Sequence, residues 1–146
     1  MRPLTTSTEL ITPQRVQWSL RVAFAIVFCW FGGLKIIDNS PAHDLVEATL
    51  QWTQIDSISL LLGMWEVVIA SCFLIPRITR FTLAMFLVHM AGTFMPLVTL
   101  PELSYISFPL GLSLIGQYIL KNVVFLAAGS ALYLLWRSHE HEAPLS

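Results

Sequence analysis

Four long apolar stretches, each carrying ionisable or amide side chains, constrain this chain more than any other feature. They run over Trp18–Ile37, Ile58–Ile75, Phe81–Val98 and Gln117–Trp136. Each is close to the ~20 residues a helix needs to cross a hydrocarbon core. Inside them or at their ends sit Arg21, Lys35, Glu66, His89, Lys121 and Asn122. A charge at the bilayer centre costs about 2.5–3.5 kcal/mol on insertion scales. A chain that keeps several such groups is expected to pair them or to solvate them in a cavity.

Composition agrees with a membrane protein. Of 146 residues, 55% are hydrophobic and 12% charged, against about 25% charged in soluble domains. The length suits one domain. No basic surface of the nucleic-acid-binding kind is present, so nucleic acid is excluded as a partner. The two cysteines, Cys29 and Cys72, form no C-x-x-C. In straight antiparallel spans they would be offset by roughly 7 Å or more, which disfavours a bridge. They read as small apolar packing residues.

The expected fold is an all-α, polytopic membrane four-helix bundle with a short amphipathic interfacial helix between spans one and two. Residues 1–17 form a polar arm, 18–136 the four-span domain and 137–146 a polar tail. The first apolar run is too long for a signal peptide's core and has no A-x-A-like site after it, so it reads as an uncleaved anchor. Between Pro41 and Asp56, Leu45, Ala48, Trp52 and Ile55 recur at helical spacing beside Asp44, Glu47, Gln51 and Gln54. That segment is too short and acidic to span, and is expected to lie on the membrane surface or cover the bundle mouth. Thr99 to Gly116 is apolar but broken by Pro101, Pro109 and Gly111, and reads as a loop with a short interfacial or re-entrant piece.

Charge is distributed unevenly. Arg2 and Arg15, Arg77 and Arg80, and Arg137 flank one side of the spans. Asp38, Asp44, Glu47, Asp56 and Glu102 mark the other, whose loops carry no Lys or Arg. The excess of cations on cytoplasmic loops predicts that both termini are cytoplasmic.

At that topology the acidic half of the bundle holds Lys35, Glu66, His89, Lys121 and Asn122. Helical phase puts Arg21, Phe28, Gly32 and Lys35 on one face of span one, and Gly63, Glu66 and Ala70 on one face of span two. Span three aligns Met85, His89, Gly92 and Pro96; span four aligns Tyr118, Asn122, Leu126 and Gly129. Lys35, Glu66, His89, Lys121 and Asn122 are therefore the candidate ligand-binding residues. Lys35 and Lys121 have the alternative of snorkelling to headgroups, Arg21 that of reaching the near interface, Glu66 that of a structural ion pair, and His89 that of interhelical packing. Trp30 and Trp65 read as packing residues that could wall a flat ligand. His139-Glu140-His141-Glu142 reads as a solvated tail, and no metal site, haem-attachment motif, phosphate loop or nucleophile elbow is present in the sequence.

Gly32-Gly33-Leu34-Lys35, Gly63-Met64-Trp65-Glu66, the Pro76-Arg77-Ile78-Thr79-Arg80 turn and Lys121-Asn122 together resemble the DoxX-like membrane proteins. The segment from Lys35 to Pro41 is similar to the branch containing the reactive chlorine resistance membrane protein. The resemblance covers most of Arg21 to Leu135. It implies a bacterial inner-membrane four-helix protein in an oxidant-stress or quinone-linked redox system, with Lys35, Glu66 and Asn122 as residues that matter. Quinone is the ligand class implied, not a tightly held group; the partners are the lipid bilayer and a redox subunit, with a homo-oligomer also open. Paired cysteines for dithiol chemistry are lacking. Two other functions stay open: a non-catalytic scaffold or assembly factor, and a small-solute carrier acting as an oligomer.

Overall fold

The computed structural model describes residues 12–142, with side chains as far as Ser138. It is mostly helical. In chain order the elements are α1 (Pro13–Ile36), α2 (His43–Leu50) with a 3-10 turn at Gln51–Thr53, α3 (Ile58–Phe73), a 3-10 turn at Pro76–Ile78, α4 (Thr79–Phe94), α5 (Pro96–Thr99) and α6 (Pro101–Ser104). A hairpin of β1 (Tyr105–Ser107) and β2 (Gly111–Leu112) follows, then α7 (Leu114–Leu120) and α8 (Val123–Glu142). Three stretches are long and apolar enough to cross a membrane: Pro13–Ile36, Pro76–Thr99 and Leu114–Ser138. A fourth qualifies only if α3 is counted together with the α2 segment, from which it bends by 105°. At 16 residues, α3 alone reaches about 24 Å.

Several boundaries differ from the sequence expectation, each for a local reason. The first helix starts at Pro13 instead of Trp18, because the Thr12 hydroxyl accepts from the Arg15 amide at 3.3 Å and proline suits the first turn. Residues 13–17 are therefore helix and not arm; the rest of the expected arm, up to Ile11, lies outside the described residues. The amphipathic helix is shorter than Pro41–Asp56, since Gln54 and Ser57 take left-handed backbone angles (φ 54° and 61°) that end it. The chain is also not purely α. Tyr105 and Ser107 pair with Leu112 and Gly111 across an antiparallel hairpin, within the segment expected to be loop. The last span begins at Leu114, not Gln117, and α8 continues to Glu142, so residues 137–142 are helical instead of tail. The His139–Glu142 side chains lie outside the described residues.

Helix α1 packs chiefly on α3 and also meets α8; α4 touches both α3 and α8. Lipid is as apolar as leucine, so such contacts depend on close fit more than on excluding water. Two glycine contacts supply it. A Cβ on Gly32 would come within 2.6 Å of the Gly63 carbonyl oxygen, and one on Gly63 within 2.7 Å of the Gly32 carbonyl oxygen. Across the molecule, a Cβ on Gly129 would press to 2.8 Å of the Phe86 ring. Between these contacts lies an aromatic core. Phe24 stacks on Phe73 at 4.5 Å between centroids and meets Phe86 edge-on at 5.2 Å. Trp30 faces outward at 67% exposure instead of packing inside, whereas Trp65 is 36% exposed and mostly covered.

The two ends of the molecule differ in charge. Arg15, Arg77, Arg80 and Arg137 gather at the end where α1 and α4 begin and α3 and α8 finish. That convergence is seen directly, since Arg21 bonds Phe73 and Thr79 while Arg80 lies 5.0 Å from the Trp136 ring centre. The opposite end carries Asp38, Asp44, Glu47, Asp56 and Glu102.

Candidate functional site: a buried Lys–Glu–His cluster

Lys35 occupies the last turn of α1, one turn beyond Gly32. Glu66 follows Gly63 by three residues on α3 and faces the same way. The glycine pair brings the two backbones together, and a Cβ on Gly63 would lie only 2.8 Å from that of Lys35. Lys35 Nζ consequently reaches both Glu66 oxygens, at 2.9 Å to Oε1 and 2.7 Å to Oε2. Both side chains are only 6% exposed. Removing one member of such a pair strands the other charge, which costs about 3–5 kcal/mol.

His89 joins from α4. Its Nε2 lies 3.3 Å from Glu66 Oε1. The imidazole meets the Phe28 ring edge-on at 5.1 Å. Its Nδ1 is buried and has no hydrogen-bond partner among the described residues. An unpaired buried polar atom costs about 1–3 kcal/mol, and Nδ1 is the atom of the cluster left without any partner among the described residues. The cluster thus joins α1, α3 and α4 through one carboxylate.

Two candidates do not join it. Lys121 is exposed, with Nζ 4.2 Å from the centre of the Tyr118 ring. Asn122 is half-buried, and the polar contacts of Lys35, Glu66 and His89 do not include it. The expectation failed because it carried one helical phase from Tyr118 to Gly129. Between α7 and α8 the chain tightens into a turn at Lys121–Asn122, where the Asn122 amide donates to the Ile119 carbonyl and the Val124 amide to the Lys121 carbonyl, so the regular helical repeat shifts there. Tyr118 and Gly92, also expected inside, both face outward.

Arg21 forms a second buried polar site, at the arginine-rich end. It was expected to have the option of reaching the membrane interface, yet it is 1% exposed. Its Nη1 donates to the Phe73 carbonyl at 3.0 Å and its Nη2 to the Thr79 hydroxyl. Thr79 Oγ1 in turn donates to the Pro76 carbonyl at 2.6 Å, and Thr82 Oγ1 lies 3.2 Å from the Cys72 carbonyl oxygen. The last carbonyls of a helix lack intrahelical donors and carry the negative end of its dipole. Arg21 supplies both a donor and a positive charge to the end of α3. The sequence signal for this role was Thr79, read above only as part of the Pro76–Arg80 turn, together with Thr82 at the start of span three.

Cys29 and Cys72 are free thiols, Cys29 exposed. No cluster of three or more metal-ligating side chains is found among the described residues. No family of known proteins, no characterised protein and no solved structure matches this chain.

Proposed function

We propose that this chain is a DoxX-like bacterial inner-membrane protein, a four-span bundle with both termini in the cytoplasm, that holds the polar head of a quinone-type redox lipid in an oxidant-stress or quinone-linked system. The single observation that carries the reading is the free His89 Nδ1, buried beside the closed Lys35–Glu66 pair. With Nε2–H turned to Glu66, a neutral His89 offers Nδ1 as an acceptor, which suits a hydroxyl of the reduced quinone head; donation to a carbonyl of the oxidised head would need the doubly protonated ring. Lys35 and Glu66 place an ionised pair next to that position, able to stabilise a partial charge on the ligand oxygen and to exchange a proton with His89. Electrons would come from a partner redox subunit. The arginines gathered at one end support the orientation.

The test is retention of quinone by protein extracted in its own lipid. Wild-type protein is expected to carry quinone above its level in the surrounding lipid, and His89→Phe, which keeps the ring packing on Phe28, is expected to lose it. No enrichment in the wild type, together with unchanged oxidant sensitivity on deletion, would end the proposal.

A scaffold or assembly role is the second reading, favoured by the two-pronged Lys35–Glu66 contact across the Gly32–Gly63 crossing. It predicts that Glu66→Gln lowers stability and recovery of a partner while His89→Phe changes neither.

A further inference from the structure

The link between the third and fourth apolar stretches ends in an exposed tip without charge. Between Glu102 and Lys121 the chain carries no charged residue, and strands β1 and β2 turn back on each other inside that segment. Ile106, Phe108 and Leu110 stand out from the hairpin at 83%, 76% and 91% exposure. Its base is held by hydrogen bonds. The buried Ser104 hydroxyl donates to the Pro96 carbonyl at 2.9 Å, and the Ser113 amide donates to the Ser104 carbonyl at 3.0 Å. The Ser113 hydroxyl donates to the Leu103 carbonyl. Gly116 lets α7 close on this base, since a Cβ there would run into the Ser104 carbonyl oxygen. The hairpin is therefore a fixed projection from α5, α6 and α7, with its apolar side chains held outward.

We infer that this hairpin is a lipid-contacting wedge, seated among headgroups and upper acyl chains at the acidic end of the molecule. Exposed apolar side chains grouped in this way mark an interaction surface. The surface continues from the membrane-crossing stretches themselves. Val98, next to the end of the third stretch, is 82% exposed, and Leu114 and Tyr118, at the start of the fourth, are 71% and 59% exposed. Lipid is what covers outward side chains of such stretches in a bilayer, and the tip extends the same apolar surface. The acids that mark this end, Asp38, Asp44, Glu47 and Asp56, belong to other segments. The tip therefore meets the headgroup layer with no charge of its own to desolvate. The backbone sets the depth. Among the described residues the two strands pair only with each other, so their outer edges carry amide and carbonyl groups that hydrocarbon cannot satisfy. Insertion of about 5–10 Å, as for an amphipathic helix lying in the interface, covers the side chains and leaves those edges within reach of water. Pro109, at the turn, brings no N–H to be desolvated. The inference rests on the membrane-span part of the proposed function and is independent of the quinone reading.

Photo-crosslinking of the full chain in vesicles of phosphatidylethanolamine and phosphatidylglycerol tests it. The photoreactive residue p-benzoylphenylalanine replaces Ile106, Leu110, Glu102 or Val124, one at a time, and mass spectrometry reads the adducts. All four positions are exposed, so the probe displaces no core packing. Val124 lies within α8 and is 69% exposed, so its probe reports whether the chain crosses the bilayer at all. Probes at Ile106 and Leu110 are expected to give phospholipid adducts several-fold above the probe at Glu102, and below the probe at Val124. Adducts at Ile106 and Leu110 no higher than at Glu102, with strong adducts at Val124, would overturn the wedge and leave the membrane reading standing. Absence of lipid adducts at Val124 would overturn both. Crosslinks from the tip mainly to a second copy of the chain would also overturn the inference, because protein and not lipid would then cover it.

Discussion

Helix α1 buries two cations, and the molecule treats them in opposite ways. Arg21 lies near one end and is met by a backbone carbonyl and a hydroxyl. Lys35 lies fourteen residues later, about 21 Å along the axis, and is met by a carboxylate. The aromatic layer of Phe24, Phe28, Phe73 and Phe86 separates them. The difference follows from the two side chains. A guanidinium offers several donors in a planar fork and spreads its charge, so neutral acceptors at a helix terminus suffice. An ammonium is a compact charge, and in an apolar setting it needs an opposite charge within contact distance. The first site is therefore a cap that holds the α3–α4 turn. The second is an ion pair with an unsatisfied imidazole beside it, and only that one has capacity for a ligand.

The largest expected effect strikes the second site. Glu66→Gln should destabilise the protein by about 3–5 kcal/mol, because Lys35 stays buried without a counter-charge. Thermal unfolding in detergent measures this. The pair Lys35→Met/Glu66→Leu should recover most of the loss, and a double variant as unstable as the single one would show that the contact is not an ion pair in energetic terms.

Next comes the crossing beneath it. Gly32→Ala should cost about 1–3 kcal/mol, since the new methyl group would need space now held by the Gly63 carbonyl and by Glu66 and Val67. Gly33 faces open space, so Gly33→Ala should be near neutral in the same melt. Equal losses at the two glycines would separate the ion pair from the crossing.

A smaller change is expected at the first site. Thr79→Val removes the hydroxyl that Arg21 and the Pro76 carbonyl share, at a cost of about 1–2 kcal/mol. Hydrogen exchange should show the loss confined to the turn between α3 and α4. Faster exchange spreading to Lys35 and Glu66 would mean that the two sites are coupled through the aromatic layer.

The smallest effect belongs to Lys121→Ala. Exposed cation–π contacts contribute about 0.5–1 kcal/mol, so stability should fall by no more than that. A loss as large as that of Glu66→Gln would return Lys121 to the buried cluster from which its exposure removes it.

Much of this was legible in the chain because lipid simplifies the code. Polar side chains inside apolar runs point inward or toward an interface. Lys35, Glu66 and His89 do lie inside, with Gly32 and Gly63 on the same faces, while Arg21, which had the near interface open to it, is buried as well. Apolar residues were harder to place. Trp30 could pack or face lipid at little difference in hydropathy, since both surroundings are apolar. The hairpin at Tyr105–Leu112 was missed because its two strands are too short to carry a period-two pattern. Lys121 and Asn122 were placed by one regular repeat carried through a turn that tightens at those residues, and such a turn leaves no mark on composition.

By itself the sequence determined the apolar segments and their approximate limits, the ionisable groups that must be accommodated within them, and the contrast between an arginine-rich and an acidic end. All of these are properties of a residue and its neighbours along the chain. Tertiary structure alone decided which polar groups meet. Lys35 reaches both oxygens of Glu66 because two glycines let α1 and α3 approach, His89 joins them from α4 with one nitrogen to spare, and Lys121 does not. Such meetings depend on the relative rotation and spacing of separate helices, and a one-residue change in phase turns a side chain by about 100°.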